Sequence, residues 1–295
     1  MHSRKERLLK ISFLMLMAAG CRGLSAAPVS EKERQEILRE GMLLHKLELA
    51  SRHATDLQSS IHGITAFDSI VGYLSYPEGS QFKTIFYGAE NHFRIYAQVI
   101  FDSTCSVKTS LLDISTRAAT ERETELIVLR EDAHKRIKEN EGNFFEQYDS
   151  VSFNLIPVIT AAERKVFVLS APFHPGDVLF GNDYVLTYSN ENKFLSRKKL
   201  HSHLISLPMK AVPHDTLEVW TAHPHTEESS AFISSTDICI LLLYSQFTNW
   251  KKHIVFSSGY VSLFDMEKKT LTLLTRKAFE KIYERQINLL KLEAD

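Results

Sequence analysis

The chain is poor in cysteine, and none of its three cysteines belongs to a C-x-x-C pair. A cysteine-ligated metal site therefore has no support, and three thiols are too few for a secreted disulfide framework. Cys239 falls inside the apolar run ICILLLY, so Cys105 and Cys239 read as buried thiols acting as small apolar residues, with a disulfide between them as the alternative. Charge of one sign is lacking too: 35 Lys and Arg against 36 Asp and Glu leave a formal net charge of −1. Neutralising nucleic-acid phosphates takes a basic excess, so nucleic acid is set aside as a partner. Internal repeats and low-complexity tracts are missing as well, which argues against a solenoid or a linker array. What is present is ordinary globular composition, 44% hydrophobic and 24% charged over 295 residues, enough for one large domain or two small ones.

The N-terminus reads as a targeting segment. Arg4, Lys5, Arg7 and Lys10 precede the apolar run ISFLMLMAA at 11–19, which is too short to span a bilayer as a mature helix. Ala18-Ala19-Gly20-Cys21 resembles a bacterial lipobox, in which Cys21 would carry lipid and become the mature N-terminus. Cleavage near Ser25-Ala26-Ala27 is the alternative. Both readings predict an exported protein, anchored in the envelope through Cys21 or else periplasmic or secreted.

Beyond residue 30 the pattern predicts an α/β protein with two domains. A capping-box start at Ser30 and helical spacing of Ile37, Leu44, Leu47 and Ala50 predict a helix to about residue 58. ITAFDSIVGYLSY, FKTIFYG and FRIYAQVIFD predict short antiparallel strands between 64 and 113. Thr120 with Glu123 opens a second helix carrying Leu126, Leu129, Ala133 and Ile137 on one face, and the polar run KENEGN ends it. The expected division is thus 1–21 as signal segment, 30–145 as a smaller α+β domain, and 150–295 as a mixed sheet with flanking helices. In that last part VSFNLIPVIT, KVFVLSAPF, DVLFGNDYVLTY, HLISLP and TLEVWTA read as strands. A helix from Ser234, the strands HIVFSS and YVSLFD, and a closing helix at about 276–292 follow.

The segment that carries chemistry is Thr221 to Asp237, TAHPHTEESSAFISSTD. In an extended strand i and i+2 share a face, so Leu217, Val219, Thr221, His223 and His225 lie on one side and Glu218, Trp220 and Ala222 on the other. Asp237 would approach from the first turn of the next helix. Two imidazoles and a carboxylate make a three-ligand zinc site that leaves one position open for a water, which the metal acidifies into a nucleophile. Ser-x-x-Asp alone is also an ordinary capping box, and a second His-x-His, His201 and His203, lacks such a partner and reads as structural. His174 reads as a turn residue; His214 and His253 have no assigned place.

HPHTEESSAFISSTD resembles the H-x-H, then S-x-x-D signature of the JAMM metalloproteases, the catalytic members of the MPN superfamily. The resemblance implies an MPN-like fold for residues 150–295, zinc ligation by His223, His225 and Asp237, and stabilisation of the tetrahedral oxyanion by Ser234. It also implies a Glu on a preceding strand as general base. Between Leu155 and Val185 the sole Glu is Glu163, with Asp177 and Asp183 as lesser candidates. The expected activity is zinc-dependent hydrolysis of peptide or isopeptide bonds in a polypeptide or peptide substrate. The alternative is a catalytically inactive MPN-like module that binds a partner at the cell surface. Hydrolysis of a non-peptide amide, or a deamination, is a third reading, because an open zinc site does not select the leaving group.

Overall fold

A computed structural model of the chain describes residues 30–60, 69–89, 93–149, 151–173, 176–201, 203–209, 219–226 and 229–292. The signal segment with Cys21, and also His174, His214, Leu217 and Glu218, lie outside the described residues. The architecture is mixed α/β, as expected, and the chain separates into two compact units: Met42–Leu207, and the described residues of Met1–Gly41 with Pro208–Asp295.

Helix α1 (Glu31–Ser59) supplies residues to both units. In the unit Met42–Leu207, strands β1 (Gly72–Glu78), β2 (Gln81–Gly88) and β3 (Arg94–Phe101) form an antiparallel meander. Short strands β4 (Leu111–Asp113) and β5 (Arg117–Ala118) both pair with β3. The β1–β2 turn is tight because Gly79 takes φ +60, a conformation that costs glycine little. Ala50 and Ala54 of α1 pack on Phe86, Ala97, Val99 and Phe101, while Ile85, Tyr87 and Ile95 meet Leu126 and Ile127 of the next helix. Alternation along β2, with a register shift that re-phases β3 between Ile95 and Ala97, thus buries both faces of this sheet.

That next helix is α2 (Glu121–Glu139), started by the predicted capping box of Thr120 and Glu123 and ended at Asn140 in the left-handed region. The second sheet runs β10-β9-β7-β6, from β6 (Val151–Ile159), β7 (Arg164–Pro172), β9 (Tyr184–Tyr188) and β10 (Phe194–Lys199). Leu129, Ala133 and Ile137 of α2 join Leu155, Val166, Val168 and Leu186 in one core. One helix therefore carries two sheets, and the span 140–150, read from the sequence as a domain boundary, lies inside this unit. The polar run there is a built turn: Asn140 Nδ2 donates to the Phe145 carbonyl at 2.9 Å, Phe145 N–H donates back to Asn140 Oδ1 at 2.8 Å, and the Phe145 ring enters the core.

DVLFGNDYVLTY, expected as one run, forms two strands in different sheets. Gly181 and Asn182 take φ +85 and +53, and this breaks β8 (Asp177–Gly181) from β9. β8 pairs with β11 (Leu204–Pro208). β10 was not expected either. Its pattern is largely polar, with Arg197, Lys198 and Lys199 on an edge strand, where charge guards against further pairing.

The other unit holds the segment of interest. β12 (Val219–Pro224) is followed by α3 (Ser235–Tyr244), and then β13 (Trp250–Phe256) lies parallel to β12. This is the βαβ arrangement that parallel neighbours require. β14 (Tyr260–Asp265) and β15 (Thr270–Thr275) extend the sheet antiparallel, and α4 (Arg276–Leu292) closes the chain. Trp220, Ala222, Ile254, Phe256, Val261 and Phe279 form its core. Every residue of α3 is buried, and a Cβ at Gly41 of α1 would stand 2.7 Å from the Ile238 Cβ. Among the described residues no helix is long and apolar enough to cross a membrane, and Cys105 and Cys239 are free and buried.

Candidate metal centre

The site is built where β12 ends and α3 begins. Trp220 and Ala222 point to the core, which puts Thr221 and His223 on the opposite face, in the predicted phase. His225 lies one residue past the strand, yet its N–H still donates to the Phe256 carbonyl at 2.7 Å, so it is held as firmly as a ladder residue.

The loop that follows is pinned at successive points. His225 Nδ1 lies 2.8 Å from the Ser230 carbonyl, Ser257 Oγ donates to the Ala231 carbonyl at 2.7 Å, and Ile233 N–H donates to Ser262 Oγ at 3.0 Å. α3 then opens with a reciprocal cap. Ser234 Oγ accepts from Asp237 N–H at 2.9 Å, and Asp237 Oδ2 accepts from Ser234 N–H at 2.8 Å. Capping box and candidate ligand are therefore one device: the cap that starts the helix fixes where the carboxylate points.

His223 Nε2 and His225 Nε2 are 3.1 Å apart, Asp237 Oδ1 is 3.6 Å from the first and Oδ2 3.4 Å from the second. All three side chains are buried, with no more than 3% exposed. Their ligand atoms lie within 4.8 Å of one another, a grouping that can hold a metal ion.

A carbonyl oxygen can only accept, so His225 donates from Nδ1 to Ser230 and, when neutral, keeps a bare lone pair on Nε2. That lone pair faces His223 Nε2 and the carboxylate. Two ring nitrogens at 3.1 Å must share a proton or a cation, since bare lone pairs would repel. Nitrogen and oxygen donors of this kind suit a borderline divalent ion, and the N-terminus of α3 adds a favourable field for the carboxylate.

His253, unassigned from the sequence, belongs to this site. It is fully buried on β13, opposite Thr221 in the parallel register, with Nε2 2.8 Å from His223 Nδ1 and Nδ1 2.8 Å from Thr221 Oγ1. Burial pushes its pKa down to about 4, against a smaller upward pull from Asp237. The cue in the sequence was only a histidine in the apolar strand WKKHIVF, where a core residue is the ordinary reading.

No protein-family model, curated protein or solved structure matches this chain. The remaining sequence candidates belong to the unit Met42–Leu207. Glu163 sits exposed in the β6–β7 turn, 2.6 Å from Lys165 Nζ, and its backbone carbonyl accepts from Thr160 N–H. Asp177 accepts from Ser206 Oγ at 2.6 Å. Asp183 is buried, its Oδ1 accepting from Ser170 N–H at 3.1 Å and its Oδ2 3.6 Å from His201 Nδ1. His201 is buried and His203 exposed. Of the predicted set, His223, His225, Ser234 and Asp237 are brought together within one unit, and Glu163 belongs to the other.

Proposed function

We propose that this chain is a zinc-dependent hydrolase of peptide or isopeptide bonds, of the JAMM/MPN kind, acting on polypeptides outside the cytoplasm. The observation that carries the reading is the convergence of His223 Nε2, His225 Nε2 and the Asp237 carboxylate on one buried point, with the His225 lone pair directed there by Ser230. The β12–α3–β13 order, with His-x-His at a strand end and Ser-x-x-Asp opening the helix, supports the MPN-like assignment. Zinc, when bound, supplies Lewis acidity that polarises a scissile carbonyl and lowers the pKa of water.

The chain's own residues would divide the work as follows. His223, His225 and Asp237 hold the ion. Ser234 Oγ accepts from Asp237 N–H and lies 2.8 Å from Thr236 Oγ1. With Thr236 as the donor in that contact, the Ser234 proton is left to meet the developing oxyanion of the substrate. Glu163 is the proposed general base. Its position in an exposed ion pair favours, as the second reading, an inactive MPN-like binding module at the cell surface.

Elemental analysis of the purified chain decides between metal and no metal. The expectation is about one zinc per chain in the parent and loss of it in the His223→Ala, His225→Ala double variant. Equal metal content in the two proteins, or none in either after zinc loading, sinks the hydrolase.

A further inference from the structure

We propose that His253 is a positioning residue for the metal ligand His223, and that Thr221 holds His253 in place through the hydrogen bond at its far nitrogen. The inference rests on the metal-centre reading above. His253 occupies the middle of a three-member chain of hydrogen bonds, Thr221 Oγ1 to His253 Nδ1 and His253 Nε2 to His223 Nδ1, each 2.8 Å long. The two imidazole rings are 4.9 Å apart between centroids, and His253 has no exposed surface. Thr221 and His253 are direct partners in the parallel β12–β13 register, so backbone pairing holds this chain of contacts in place.

Each neutral imidazole carries one N–H, and the order of protons along the chain has two solutions. In one, His253 donates from Nε2 to His223 Nδ1. His223 then carries its own proton on Nε2, the atom 3.1 Å from His225 Nε2, and cannot ligate. In the other, His253 keeps its proton on Nδ1, donates it to Thr221 Oγ1, and accepts from His223 Nδ1–H. His223 Nε2 is then a bare lone pair aimed at the carboxylate and at His225. Only the second order makes a ligand; in it the Thr221 oxygen accepts from His253 Nδ1–H, whereas in the first order the same hydroxyl would donate to the bare His253 Nδ1. Hydrogen bonds of this type at the far nitrogen of a ligating imidazole fix both ring orientation and tautomer.

Zinc affinity, measured on the full chain by competition with a chelator, tests this alongside the melting temperature of the metal-free protein. His253→Leu removes the acceptor at similar volume and is expected to weaken zinc binding about 10- to 100-fold. His253→Gln returns an acceptor near the Nε2 position and should recover most of that loss. Thr221→Val, nearly isosteric, should weaken binding in the same direction but less. Parent affinity in a folded His253→Leu variant overturns the proposal and makes His253 a packing residue. If His253→Leu does not fold, Thr221→Val decides, and unchanged affinity there overturns it equally. Zinc binding in the parent that survives His223→Ala, or no binding at all, brings down the metal centre itself together with this inference. That result is distinct from a parent that binds zinc through His223 and is indifferent to His253.

Discussion

Ser234 and Asp237 hold each other by two hydrogen bonds, 2.8 and 2.9 Å long, and the Asp237 oxygen that caps the helix also stands 3.4 Å from His225 Nε2. Structure and chemistry are separable here by charge. Asp237→Asn keeps an oxygen that can accept from Ser234 N–H but loses the negative charge a divalent ion needs. It is expected to abolish zinc retention while changing unfolding free energy by less than about 1 kcal/mol, since Asn and Asp cap helices comparably. Asp237→Ala should lose the metal and destabilise as well. A zinc-replete Asp237→Asn protein removes Asp237 from the ligand set.

Gly41 of α1 packs directly against the first turn of α3. A Cβ there would stand 2.7 Å from Ile238 Cβ and 3.0 Å from the Ser235 carbonyl. Gly41→Ala gains about 1 kcal/mol in helix propensity, yet neither of those neighbours is a flexible chain end, and overpacking of this kind costs about 1–3 kcal/mol. Net destabilisation in a urea titration is expected. A more stable variant would show that the two helices can separate freely.

Glu48 of α1 makes stability depend on pH. Burial raises its pKa from 4.5 to about 7, although the Asn154 amide that donates to it and the nearby Arg52 charge pull the other way. Below pH 4.5 the carboxyl is protonated whether the chain is folded or not, and above about 7 it is ionised in both states. In between the folded chain binds more protons, so this group's contribution to stability falls as pH rises through that window and then levels off. Glu48→Gln should therefore gain stability relative to the parent between pH 4.5 and 7 and hold that gain above it. Parallel denaturation midpoints across the range would contradict the assignment.

Glu163 is where catalysis is most open to test. Its exposed pair with Lys165 contributes about 0.2–1 kcal/mol at most, so Glu163→Gln should leave both stability and zinc content unchanged. The variant then isolates the proton-transfer role. With zinc-loaded protein and a peptide substrate, a rate fall of about 10²- to 10⁴-fold assigns the base to Glu163, and an unchanged rate takes it out of the mechanism.

Local rules were enough to read several parts of this protein from its sequence. The apolar spacing along 30–58 and 120–139, the capping boxes at Thr120 and Ser234, and the strand phase that put Thr221 and His223 on one face all appear in the structure. Each depends on residues within a turn or two of one another, where helical and extended periods act directly. Three features needed the tertiary structure. The polar run after α2 read as a domain boundary, but Asn140 folds it back and α2 serves two sheets, because one helix can present adjacent residues to both. The run DVLFGNDYVLTY was read as continuous until the left-handed turn at Gly181 and Asn182 divided it. His253 was one histidine among thirteen in the sequence. It became the neighbour of His223 only when β13 settled parallel to β12 with Thr221 opposite, a register set by a crossover helix and not by any spacing visible along the chain.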